Sequence, residues 1–161
     1  LSLSNIHLYD KGRIVKYNNL SEIFDTFYDE RYKLYELRKE YQCKELLNLL
    51  QIIESKIRFI KDVIDENIII YKRKKVQIIE TLMEKQYIQV KDKKVIQNED
   101  NKNTTNYDYL IKMSLYTFTE EEIERLDNEY KKLRERYDKL MNLTIEEIWK
   151  NECLELLKNI K

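Results

Sequence analysis

The 161-residue sequence contains no proline and a single glycine, Gly12. A loop that cradles phosphates, or a dinucleotide-binding fingerprint, needs several glycines where the backbone approaches the ligand, so both are excluded. Without proline nothing breaks a helix from within, and long helices are permitted. There is one histidine, His7, and there are two cysteines, Cys43 and Cys153, far apart and without metal-ligand spacing. That usage fits two reduced thiols of an intracellular protein. Net charge is also missing, with 30 Lys plus Arg against 30 Asp plus Glu. A domain that grips nucleic acid by itself normally carries a basic excess, because phosphate neutralisation supplies most of the affinity. No apolar run approaches the roughly 18 residues of a membrane span, and no basic stretch followed by an apolar one marks a secretion signal. The chain opens without Met, in a strand-like stretch, and is therefore expected to be a piece of a longer protein.

What is present is 37% charged and 42% apolar residues, a mixture that suits long helices with solvated faces. Residues 5–17 predict a β-hairpin: Ile6 and Leu8, then Ile14 with Tyr17, flank the turn Asp10-Lys11-Gly12-Arg13, with Gly where positive φ is wanted. Such a hairpin is marginal alone and is expected to belong to a larger sheet. Ser21 is the candidate N-cap of a long helix over 21–66. Its apolar positions, Phe24, Phe27, Tyr28, Leu34, Tyr35, Tyr41, Leu46, Leu47, Leu50, Ile53, Ile57, Ile60 and Ile64, recur mostly in steps of three and four. Such a helix is about 68 Å long and must bury its stripe on another helix or a partner chain. Residues 67–71, Asn-Ile-Ile-Ile-Tyr, read as a short buried strand or extended turn. A short amphipathic helix follows at about 75–86. Residues 91–106 are strongly polar and are expected to form a disordered insertion. Thr119-x-x-Glu122 and Thr144-x-x-Glu147 are capping boxes for two further helices. The predicted fold is mainly α: a long antiparallel coiled-coil arm with a small globular α(+β) tip and an N-terminal hairpin left from a larger domain. The segments are 1–20 (hairpin), 21–66 (outgoing helix), 67–118 (tip, with the insertion 91–106) and 119–161 (two return helices).

Few residues suggest chemistry. His7 beside Asp10 is one candidate general base, though a lone His on an alternating strand is more often a surface residue. Glu120-Glu121-Glu122 reads as helix-dipole complementation rather than as a metal site, and 98–106 lacks calcium-loop spacing. Lys72 to Lys75 is a basic run that suits a solvated turn better than a nucleic-acid contact; Lys11, Arg13 and Lys16 form a weaker patch. Thirteen tyrosines are present, but none stands among the acids and cations an activated nucleophile needs. Tyr28, Tyr35 and Tyr41 fit the helical stripe and packing instead. No catalytic, cofactor-binding or metal residue is assigned. The denser signal is apolar: Tyr109, Leu110, Met113, Leu115, Tyr116 and Phe118 cluster within ten residues. Val76 and Ile79 are expected neighbours, as contact or as tip core. A contiguous apolar patch of this sort marks an association site, and a two-fold contact would pair it with its own copy.

Several phrases, in order, resemble the eukaryotic-type (type IIA) DNA topoisomerase II family. Asn5-Ile6-His7-Leu8-Tyr9-Asp10 with Gly12 and Lys16-Tyr17 is similar to its hairpin. Glu22-Ile23, Phe27-Tyr28-x-x-Arg31 and Tyr35-x-x-Arg38-Lys39 resemble its E-I-L-x-x-F-Y-x-x-R-L-x-x-Y-x-x-R-K. Lys56-Ile57-Arg58-Phe59-Ile60 resembles K-V-R-F-I. Tyr109-Leu110-Ile111-x-Met113 with Leu115-Tyr116-x-Phe118-Thr119-x-Glu121 resembles Y-L-L-x-M-x-x-W-x-L-T-x-E, and Ile148-Trp149-Lys150-x-Glu152 with Leu154 resembles D-x-W-x-x-D-L. Tyr116 departs from the usual Trp and Phe118 from the usual Leu. The resemblance implies a coiled-coil arm and exit-gate dimerisation region of an enzyme that passes one duplex through a transient double-strand break in another. It implies a homodimer meeting at the arm tips, duplex DNA as the parent's substrate, and ATP and Mg2+ as the parent's cofactors. It also implies a nuclear location, or a cytoplasmic one for a large DNA virus. The family's cleaving tyrosine, magnesium site and ATPase fall upstream, so the chain alone is expected to be inactive. The competing class is a structural coiled-coil tether or adaptor, which shares the long helices but neither the hairpin nor the tip phrases.

Overall fold

The structure, a computed structural model, describes residues 5–92, 94–96 and 106–160. The described part is mainly helical, with two small antiparallel hairpins, and it divides into two compact units. One comprises residues 1–41 and 143–161, the other Gln42–Asn142. The division does not follow the four segments expected from sequence. It cuts through the longest helix, which contributes residues to both units. Among the described residues no helix is long and apolar enough to cross a membrane.

In the first unit, β1 (Ile6–Asp10) pairs with β2 (Arg13–Tyr17), with Ile6 opposite Tyr17 and Asp10 opposite Arg13. Lys11 and Gly12 both have positive φ, 45° and 85°, the geometry that lets a two-residue turn match the twist of its strands. Lys11 Nζ reaches Glu30 at 2.8 Å. α1 (Leu20–Ile64) starts one residue before the expected cap. Asn19 Oδ1, not Ser21, accepts the Glu22 N–H at 3.0 Å, and the Glu22 carboxylate accepts the Asn18 N–H at 2.9 Å. The reciprocal pair satisfies two donors that a helix start leaves open. α5 (Ile145–Asn159) is closed by the predicted box: Thr144 Oγ1 accepts the Glu147 N–H at 3.2 Å, and Glu147 accepts the Thr144 N–H at 2.9 Å. Trp149 on α5 stacks on Tyr28 and Tyr35 of α1, with ring centroids 5.3 and 5.4 Å away, and meets Phe27 edge-on at 6.3 Å. Glu152 accepts the Tyr35 hydroxyl at 2.6 Å and pairs with Arg38. The expected burial of the early α1 stripe fails within this chain. Tyr35 is buried, but Phe24, Phe27, Leu34 and Tyr41 are exposed and Tyr28 is only half-covered, because α5 reaches α1 mainly through Trp149 on the face that carries Tyr28 and Tyr35.

The second unit is the better packed. α4 (Glu120–Asn142) starts at the predicted Thr119 cap, whose hydroxyl oxygen accepts the Glu122 N–H at 3.3 Å. It runs back along α1: Leu126 joins Ile53, Ile57 and Ile60, and further along Cys43 meets Met141. A second cluster holds Phe59, Val63 and Ile68 against Ile78, Ile79 and Leu82 of α2 (Lys75–Glu84) and Leu110 of α3 (Asp108–Ile111). Met113 and Phe118 touch both clusters. Residues 67–71 form no strand but an irregular connection of bends and turn, the second of the two expected forms. Only Ile68 of the three isoleucines is buried, where it covers the end of α1. The expected insertion also needs correction. Gln89–Lys91 (β3) and Lys94–Ile96 (β4) pair antiparallel, Val90 opposite Val95, and Asn106 C=O accepts the Val90 N–H at 3.0 Å. The β-branched residues flanking the charged turn outweigh its polarity. The remainder of the expected insertion, residues 93 and 97–105, lies outside the described residues.

Candidate functional site

At the end of α1 a C-terminal cap forms on an unusual residue. Glu66 takes a left-handed conformation, φ 58°, where glycine is preferred. Its N–H reaches Val63 C=O at 3.2 Å, and the Ile68 N–H returns to Asp62 C=O at 2.8 Å. The sharp exit turns the chain away and leaves an open apolar groove of about 510 Å³. Val63, Ile64 and Glu66 form one wall; Ile70 and Tyr71, from the connecting turn, form another. Leu110, Ile111, Met113, Leu115 and Phe118 close the remainder. Leu115 sits on a 3-10 turn, Leu115–Thr117, and is 80% exposed; Tyr116 beside it is 89% exposed.

The eight residues expected at an association surface are therefore sorted by the fold. Leu110 and Ile79 are buried in the unit's own core, and Met113 and Phe118 pack against it. Tyr109 is a tie: it donates to Ile88 C=O at 2.8 Å, so the Ser55 hydroxyl, also 2.8 Å away, donates to it. Burial pushes the Tyr109 phenol up to about 12. Val76, Leu115 and Tyr116 remain on the surface. Sequence reasoning missed Val63, Ile64, Glu66, Ile70, Tyr71 and Ile111 as groove residues. The signal was there in the run Asn67-Ile-Ile-Ile-Tyr71, which is more apolar than a solvated connection requires.

A polar cluster ties the segment after α2 to the end of α1. The Tyr87 hydroxyl donates to Asp62 Oδ2 at 2.8 Å, and Lys85 Nζ stands 3.4 Å from the same oxygen. Arg58 lies over the Tyr87 ring, 4.6 Å from its centroid, and donates to Lys85 C=O at 2.9 Å. Burial raises the Asp62 carboxyl, but the Tyr87 hydrogen bond and the Lys85 charge outweigh it and hold the group below its ordinary value. Burial, then the bond to Asp62, raises the Tyr87 phenol. Tyr32, Tyr35 and Tyr107 are displaced in the same direction. A nucleophilic phenol needs the opposite shift.

The other sequence candidates are dispersed. His7 lies opposite Lys16 in β1, three residues from Asp10 and so on the other face of the strand. Glu122 pairs with Arg125 at 2.6 Å, and Lys75 pairs with Asp108 at 3.3 Å. Among the described residues no three His, Cys, Asp or Glu side chains come together as a metal site would require.

Residues 1–154 match the family model that describes the A-type subunit of DNA gyrase/topoisomerase IV. The chain is similar to curated proteins named DNA topoisomerase 2. It is 30% identical to that of Penicillium chrysogenum over 98% of this chain and 11% of the relative, and 29% identical to that of Acanthamoeba polyphaga mimivirus over 98% and 12%. The chain thus spans about one-eighth of the length of these relatives. Among solved structures, it superimposes with a TM-score of 0.78 on the Plasmodium falciparum topoisomerase II DNA-binding, cleavage and re-ligation domain, at 29% identity, covering 99% of this chain and 24% of that one.

Proposed function

The chain belongs to the family of DNA gyrase/topoisomerase IV A-type subunits, and on that premise we propose that it is the exit-gate dimerisation arm of an ATP-dependent type IIA DNA topoisomerase. The parent would pass one duplex through a transient double-strand break in another, and two copies of this region would meet to hold the last barrier before the transported duplex leaves. The observation that carries this reading is the pair Leu115 and Tyr116, 80% and 89% exposed on a short 3-10 turn at the rim of an apolar groove. Exposed large side chains standing together beside a hollow mark an association surface. The 45 unbroken residues of α1 and the return of α4 along its second half support an arm. The lack of net charge supports a part that contacts other protein rather than gripping DNA. The parent's ATP and Mg2+ would be held elsewhere: the one glycine sits in a hairpin turn, and among the described residues no three His, Cys, Asp or Glu side chains come together. A nuclear location, or a cytoplasmic one in a viral setting, follows from the same proposal. A gate that must also open calls for a contact of modest area.

Sedimentation equilibrium tests this. The chain is expected to be a homodimer at micromolar concentration, and Leu115→Asp with Tyr116→Asp is expected to give a folded monomer with unchanged helical circular dichroism. A chain that stays monomeric at high micromolar concentration, or a double variant that still dimerises, would refute the reading.

A further inference from the structure

The groove and the exposed turn lie on one surface, and the groove is not filled by the chain's own protruding side chain. Leu115 forms part of its rim, while Tyr116, next in sequence, stands out into solvent. Glu66 places a carboxylate on the groove wall at the end of α1, where the helix dipole already presents negative charge. It does so from a left-handed backbone conformation that a glycine would occupy more readily. Among the described residues its side chain has no hydrogen-bond or ionic partner, and neither does the Tyr116 hydroxyl.

Resting on the exit-gate reading, we propose that the Tyr116 side chain of each copy inserts into the groove of a second copy, its ring against Val63, Ile70 and Met113 and its hydroxyl donating to Glu66. Two-fold symmetry makes the exchange reciprocal, so the contact is formed twice. Tyrosine suits this role. Its ring buries about 150–250 Å² with only two torsions to order, and its hydroxyl remains available for a directional bond. Glu66 would then set the register of the two copies, because an aromatic ring in an apolar hollow is otherwise free to slide. Tyrosine-in-pocket anchors of this kind commonly dominate the affinity of an interface.

The tests separate this contact from the wider gate reading. Leu115→Asp is the control for the gate. Tyr116→Phe and Glu66→Gln, both at exposed positions, are each expected to weaken dimerisation about tenfold in sedimentation equilibrium, and the double variant no more than either alone. Cysteine cross-linking reads the geometry. In a Cys153→Ser background, where the remaining Cys43 is buried, chains carrying Tyr116→Cys and chains carrying Glu66→Cys are mixed. Mixed disulfides are expected to form faster than Tyr116→Cys pairs. If Leu115→Asp dissociates the dimer but the two conservative variants are silent or additive, or if Tyr116→Cys chains link mainly to one another, the groove contact is wrong and the gate reading survives. If the wild-type chain is monomeric, or Leu115→Asp leaves the dimer intact, both fall.

Discussion

The Tyr87 hydroxyl lies 2.8 Å from Asp62 Oδ2 and donates to it, joining the segment after α2 to the last turns of α1. The two residues are 25 apart in sequence, and their bond fixes the part of the second unit from which the groove opens.

Tyr87→Phe keeps the ring beneath Arg58 and removes only the donor. It is expected to cost about 1–3 kcal/mol, because the half-buried Asp62 carboxylate loses its closest partner. Urea titration gives the number, and an unchanged midpoint would mean that Lys85 alone suffices. The pH dependence has a definite sign. Asp62 is lowered on folding, so its contribution is complete above the ordinary carboxylate value of about 4 and is lost as pH falls through the folded value. Asp62→Asn should flatten that acid limb. On the alkaline side Tyr109 is raised to about 12. Its contribution is complete below about pH 10 and is lost as pH rises toward 12. Tyr109→Phe should remove part of that decline.

Trp149 is the chain's only tryptophan, and it is held between two tyrosines. Trp149→Ala is expected to cost about 2–3 kcal/mol, below the figure for a fully buried indole because part of the ring is solvated. Circular dichroism should show loss of α5. Leu156→Ala, at a 61% exposed site on the same helix, should change stability by less than about 0.5 kcal/mol. Equal effects of the two substitutions would contradict the aromatic clamp.

Replacing 91–106 with a short linker removes β4 and the carbonyl that Val90 bonds. A loss of about 2 kcal/mol, or about 4–8 °C in Tm, is expected by thermal melting. An unchanged Tm would mean that the β3–β4 pairing contributes nothing to stability.

The sequence was most informative where the signal is local. The hairpin turn was legible because Gly12 sits where positive φ is needed, and the Thr144–Glu147 capping box and the Thr119 N-cap were legible because their partners are three residues apart; at Thr119 only half of the expected box forms, since the Glu122 carboxylate pairs with Arg125 instead. The long helix was legible because nothing in 20–64 interrupts it. Local patterns also misled. Asn19 displaced Ser21 as the cap, since adjacent polar residues compete for the same donors and the better geometry wins. The β3–β4 pairing was hidden by the charged residues of its turn, whose polarity dominates any composition window.

Of the proposed association surface, the sequence by itself determined that seven apolar residues crowd into 109–118. It left open which of them face outward. Only the tertiary structure decided that, by drawing Leu110 under Phe59 and Leu82, tying Tyr109 to Ser55 and Ile88, and leaving Leu115 and Tyr116 outside on their turn. The groove beside them belongs to the tertiary structure alone. Its walls come from three separate stretches of chain, and burial depends on what lies across a gap in space, which spacing along the chain does not encode.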